Sequence, residues 1–185
     1  FKFGDTMHLD RIRHPGLRAK ITSAEQAALL VEDGMTVGMS GFTRAGDCKS
    51  VPAALAARAE REPLSITLIT GASLGHDTDK MLAQANALSR RMPFQVDTTL
   101  RRKINQGDIA FIDQHLSETV EQLRAGHIEP INVAIIEAAA ITESGAIVPT
   151  MSVGNSASFA QQADKIIIEL NIGVPAAIEG LHDIY

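Results

Sequence analysis

Hydrophobic and polar positions along this chain switch repeatedly between two periods. Ala24, Ala27, Ala28 and Val31 recur at helical spacing. Thr22-Ser23-Ala24-Glu25-Gln26 precedes them and offers a capping box in either of two registers, and Gly34 is placed to end the helix. Residues 35–39 then read as a short strand. Ser50 suits an N-cap and Pro52 a first helical turn, and the run AALAARAERE that follows is strongly helical. The period changes again at SITLIT, residues 65–70, a strand rich in β-formers. A loop, Gly71-Ala72-Ser73-Leu74-Gly75, leads to a predicted helix over residues 79–89, and Pro93 breaks the chain. IAFID (109–113) is a third strand, and SETVEQLRAG is a helix closed by Gly126. INVAIIEA (131–138) is apolar enough to be buried on both faces. Glu143-Ser144-Gly145 lies between two short β runs, a hairpin signal. A short helix and the strand KIIIELN complete the pattern.

Strands that alternate with helices predict an α/β fold, a mostly parallel sheet with helices on both faces, with one hairpin inserted late. There is no internal repeat, low-complexity tract or flexible linker, so one domain is expected over residues 11–185. Residues 1–10 read as an added or flexible N-terminal segment. The start, FKFGDTMHLD, lacks an initiator Met and an apolar signal core.

Composition narrows the partners. A net charge of -5 gives a polyanion such as nucleic acid no general attraction. The single cysteine, Cys48, allows no disulfide within the chain and fits a reducing compartment. No apolar run approaches the ~20 residues needed to span a bilayer, so no membrane partner is expected. The six histidines lack metal-ligand spacing, and no metal is expected.

In an open parallel sheet, ligands bind beyond the carboxyl ends of the strands. Three small-residue loops fall at such places or next to strands: residues 38–46, 71–75 and 152–156. Their amides, helped by helix N-termini, can face an anion. The first loop, GFTRAGDCKS, opens like a phosphate-binding loop, but Asp47 and Cys48 stand where Lys and Ser should follow the second glycine. A negative charge there opposes a nucleotide phosphate. Ser73 in GASLG formally matches a nucleophile elbow, with His115, His127, His182 and Asp113 as later partners, although a pocket-lining hydroxyl is the simpler role. Glu169, among isoleucines, is either a core carboxylate or the mark of an exposed strand end, and the second is favoured. Arg90, Arg91, Arg101, Arg102 and Lys103 form a basic cluster that reads as a solvated helix face.

Taken together, VGMSGFTRAGDCKSVPAAL, ITLITGASLG, INQGDIAFIDQHLSETVEQL, AAAITESGAIVPTMSVGNS, KIIIELN and EGLHDIY resemble the acetyl-CoA hydrolase/transferase family. The likeness is greatest to its succinate, propionyl-CoA and acetate CoA-transferase branch, and it runs from Arg11 to Tyr185. It implies the CoA-transferase type of α/β domain, shared with ribose-phosphate and glucosamine-phosphate isomerases. It also implies chemistry through a glutamate, whose carboxylate attacks the acyl-CoA thioester and then carries CoA as a glutamyl thioester to a small carboxylic acid. That glutamate belongs to the family's second half. No catalytic residue is therefore assigned in this chain, and Glu137, Glu143 and Glu169 are not nominated. The chain is expected to be the N-terminal half of a longer enzyme, inactive alone. Its partners would be an acyl-CoA, a small carboxylate and a C-terminal domain of the same enzyme, and the whole is expected to be a homodimer in the cytoplasm, or in mitochondria of a eukaryote.

The resemblance also suggests a pocket wall. Gly41, Phe42, Thr43 and Gly46 match the family's G-F-T-x-x-G loop, and Ser73 its TGAS loop. Thr98, in DTTLRRKIN, and Asn155, in SVGNS, are weaker candidates for the same wall. The mixed anhydride that the resemblance implies when the glutamate attacks the thioester is easily hydrolysed, so a dry pocket would be useful. Asp47-Cys48 departs from the aromatic-proline pair usual before the lysine. An acyl-CoA hydrolase of the same family, a non-catalytic binding module and a serine hydrolase built on Ser73 are the competing readings.

Overall fold

The computed structural model describes residues 6–184; the expectation for residues 1–5 lies outside them. Seven strands, β1 (Thr36–Met39), β2 (Ile66–Thr70), β3 (Leu88–Met92), β4 (Ala110–Phe111), β5 (Val133–Ile141), β6 (Ile147–Pro149) and β7 (Lys165–Leu170), form one sheet. The helices α1 (Pro15–Arg18) and α2 (Ala24–Ala28) precede β1, and α3 (Ser50–Ala59), α4 (Thr78–Gln84), α5 (Thr98–Gln106), α6 (Leu116–Ala125) and α7 (Ser156–Gln162) run between strands.

The strand order is β4-β3-β2-β1-β5-β6, with β7 also on β5. All pairings are parallel except β5–β6, the expected hairpin, where Gly145 turns at φ +89. The first half of β5 lies between β1 and β7; its second half carries β6. Strand order reverses between β1 and β5, which makes the crevice beyond their carboxyl ends the natural ligand position.

β5 is buried along its whole length because it faces two cores. Val133 and Ile135 join Val37, Met39 and Leu68 under α2–α5, whereas Ala134 and Ile136 join Ile69, Met92 and Phe159 on the other face. Successive residues of a strand point to opposite faces, so a two-faced strand reads as a continuous apolar run. Gly38 lets α7 sit close on β1: a methyl there would lie 2.9 Å from both Ile131 Cδ1 and Phe159 Cγ.

Several sequence expectations are corrected. α2 ends at Ala28 rather than running to Gly34, because Leu30 and Val31 tighten onto carbonyls three residues back. The helix predicted over 79–89 stops at Gln84. Asn86 adopts φ +57, and residues 88–92 form β3, a strand the pattern concealed. α5 was also not anticipated; Asp97 caps it by accepting from Leu100 N at 2.8 Å. The 3-10 helix Thr6–Arg11 packs on β5, and Arg11 Nη1 donates to the carbonyls of Ala139 and Val174.

Candidate functional site

The loop after β1 closes on itself. Phe42 and Ala45 exchange backbone hydrogen bonds of 2.9 and 3.0 Å, and Thr43 and Arg44 stand exposed at the tip. Thr43 takes φ +60, a conformation that costs a β-branched residue about 1–2 kcal/mol. Ser40 Oγ fixes the loop's base. It donates to Gly46 O at 2.7 Å and accepts from Glu137 N at 2.8 Å.

The three small-residue loops meet. Thr43 N donates to Ser73 O at 2.8 Å, and Ser152 Oγ donates to Ala45 O at 2.7 Å. The contact is backbone to backbone at Gly71, where a Cβ would lie 2.8 Å from Gly41 O. Gly41 itself is at φ +142, and a methyl there would lie 2.8 Å from Asp47 Cβ. Glycine is required at both positions for the loops to approach this closely. Gly41, Gly46 and Ser73 are therefore buried in the junction, while Phe42 and Thr43 face outward.

Two of the sequence candidates sit differently. Asn155 brings its backbone to this junction, but its side chain donates to Leu116 O at 3.2 Å, toward α6. Thr98 is exposed at the first position of α5 and shares no side-chain hydrogen bond among the described residues. Ser73 likewise has no histidine bonded to it among the described residues, and His182 Nε2 is engaged with Thr150 O at 2.6 Å. Two concavities elsewhere are lined by none of the seven candidates: one of about 210 Å³ beside His182 and one of about 780 Å³ between α2 and α3. Among the described residues, no three His, Cys, Asp or Glu side chains gather to hold a metal.

The expected Ser50 cap is not formed. The N-terminus of α3 is closed by Glu169 from β7, whose carboxylate accepts from Lys49 N at 2.7 Å, Ser50 N at 3.0 Å and Val51 N at 2.9 Å. An anion thus sits where a phosphate would in a nucleotide-binding loop, and it comes from the chain itself. Glu169 is neither a core acid nor a mere strand end.

Asp47, Cys48 and Lys49 all turn inward. Lys49 Nζ pairs with the buried Glu137 carboxylate and donates to Asp47 O at 2.7 Å; Glu137 Oε1 accepts from Thr150 Oγ1 at 2.7 Å. Burial opposes the Lys49 charge, but the hydrogen bond and charge of Glu137, with Asp47 and Glu169 nearby, outweigh it and raise the ammonium above its usual range. Burial pushes the Cys48 thiol well up, and the Glu169 charge adds to this. A thiol so placed is a structural one, not a nucleophile. The Asp47 carboxylate meets His76 Nδ1 at 2.6 Å.

Arg91 corrects the reading of a solvated basic cluster. It is fully buried and points from β3 into the loop after β2. Its guanidinium grips Asp79 through Nε (2.8 Å) and Nη2 (3.1 Å), and also donates to Thr70 Oγ1, Met92 O and Ala72 O. All five donors are used, which is the condition for burying this charge. Arg91 thereby fixes the turn that presents Ser73.

Comparison with known proteins gives this arrangement a context. Residues 9–185 match the model of the acetyl-CoA hydrolase/transferase N-terminal domain. Succinyl-CoA:acetate CoA-transferase of Clostridium kluyveri is 44% identical over 95% of this chain and 33% of its own length. Propanoyl-CoA:succinate CoA transferase of Escherichia coli is 41% identical over 80% of the chain and 31% of its own. Acetyl-CoA hydrolase of Schizosaccharomyces pombe is 43% identical over 91% and 36%. The chain thus spans about a third of the length of these relatives. Glutaconate coenzyme A-transferase from Acidaminococcus fermentans superposes with a TM-score of 0.62 at 12% identity, covering 81% of this chain and 68% of that one. At that identity the likeness is one of fold.

Proposed function

Because the chain belongs to the acetyl-CoA hydrolase/transferase family, as its N-terminal domain, we infer that it forms the acid-binding side of an acyl-CoA:carboxylate CoA-transferase. Residues 11–185 make up this domain. The substrates are an acyl-CoA and a small acid of the succinate, propionate or acetate class.

The observation that supports this reading is the junction of three glycine-bearing loops at the strand-order reversal, in a chain 44% and 41% identical to two CoA-transferases. The glycines let the three loops pack together, and a small carboxylate would meet the outward-facing tip at Phe42 and Thr43. Phe42, 48% exposed, is available to exclude water once covered, and Thr43 and Ser73 supply hydroxyls. The nucleophilic glutamate and most of the CoA surface come from a C-terminal domain of the same protein, so this chain by itself is inactive.

The test is a CoA-exchange assay on the complete protein, with acetyl-CoA as donor and succinate or propionate as acceptor. Acceptor-dependent formation of the new acyl-CoA is expected, and residues 11–185 alone are expected to give none. Ser73→Ala in the complete protein is expected to lower kcat/KM about 10-fold, the loss of one hydrogen bond to a charged group, with a glutamyl adduct still trapped. Complete loss with acyl trapped on Ser73 in the unmodified protein would instead establish the serine-hydrolase reading.

A further inference from the structure

The Asp47–His76 pair has no part in the transfer reaction as proposed, yet it is built as an orienting acid behind an accessible imidazole. The Asp47 side chain is 1% exposed and that of His76 43%. His76 Nδ1 lies 2.6 Å from Asp47 Oδ2; an ionised carboxylate only accepts, so in the neutral imidazole this contact places the proton on Nδ1 and leaves Nε2 as the acceptor. The second Asp47 oxygen, Oδ1, is buried without a hydrogen-bond partner among the described residues, so His76 is the one side chain among them that this carboxylate holds.

The backbone on both sides supports the placement. Asp47 follows Gly46 at φ +70 and packs on Gly41. His76 and Asp77 both adopt left-handed φ, +52 and +57, directly after Gly75. Gly75 is itself pressed against the first loop: a Cβ there would lie 2.9 Å from Thr43 O and 2.6 Å from Arg44 Cγ. His76 therefore stands beside the exposed tip of the loop that is read above as the acyl-pocket wall.

We propose that His76 is a water-activating base for acyl-CoA hydrolysis at this site, with Asp47 as its positioning residue. The proposal rests on the loop junction being the acyl pocket. His76 Nε2 takes a proton from water as the water oxygen bonds to the acyl carbon. The carbon–sulfur bond breaks and CoA leaves as thiolate. The proton then passes from Nε2 to that sulfur, so one thioester and one water give one carboxylic acid and one thiol. General-base help of this kind is worth about 10²–10⁴-fold.

The experiment compares thiol release from acetyl-CoA without any acceptor acid against CoA exchange with one, in the complete protein. The unmodified protein is expected to do both. His76→Gln and Asp47→Asn are each expected to lower acceptor-independent hydrolysis at least ~10-fold while exchange stays within about threefold. Asp47→Asn keeps a hydrogen-bonding group of the same size but favours the wrong tautomer, so it probes the base even if His76→Gln folds poorly. Exchange without hydrolysis in the unmodified protein overturns this proposal and leaves the transferase reading standing. So does a proportional fall in both activities, which would make the pair a strap between loops. Absence of both activities overturns the transferase reading as well.

Discussion

Glu169 shows how one side chain can settle what a loop does. Its carboxylate takes three amides at the start of α3. Glu169→Ala in the complete protein is expected to cost about 1–2 kcal/mol, as loss of a helix cap does. Thermal unfolding checks this, with no change in melting temperature as the contrary result. Lys49 gives a pH signature. Its folded value is raised above the ordinary 10.5, so its contribution is complete at neutral pH and is lost as pH climbs through the raised value. The stability gap between the unmodified protein and Lys49→Met is therefore expected to be flat from neutral pH to about pH 10 and to narrow above it. A gap that widens with alkali would contradict the assignment. Neither residue's role was legible in the sequence, because Glu137 and Glu169 lie 88 and 120 positions from Lys49. Asp47 could be read only as hostile to phosphate, since nothing local pairs it with His76, 29 residues on.

At the scale of elements, the sequence was most legible where period and capping agreed. β1, β2, β5, β7 and the β5–β6 hairpin fall within a few residues of their predicted places, and Gly126 ends α6 in the left-handed conformation. β3 was hidden because one of its buried positions, between Leu88 and Met92, is Arg91, which no hydrophobic pattern marks. Only the tertiary partners Asp79, Thr70 and Ala72 make that burial tolerable. Arg91→Met should thus destabilise by about 3–5 kcal/mol by stranding Asp79, and adding Asp79→Leu should recover much of it. Denaturant unfolding of the two variants checks this; a double variant no more stable than the single would contradict it. Gly38→Ala carries an expected cost of about 1–3 kcal/mol, because its methyl meets Ile131 and Phe159 across the β1–α7 contact.

For the whole molecule, the fold class and family were readable because motifs for several loops occur in one order along nearly the whole chain. Which of the candidate wall residues come together was readable only in part. Gly41, Phe42, Thr43, Gly46 and Ser73 belong to one junction, Asn155 joins it by backbone, and Thr98 stands apart on α5. Met151 (65%) and Leu181 (74%) are among the large apolar side chains left exposed, which fits a surface that the proposed second domain covers. The isolated domain is therefore expected to bind a hydrophobic dye more strongly than the complete protein does. The most direct test of the account is CoA exchange by the complete protein between acetyl-CoA and a small carboxylic acid. The account predicts acceptor-dependent formation of the new acyl-CoA through a trappable glutamyl thioester. A complete protein that binds acyl-CoA but forms neither adduct nor product would contradict it.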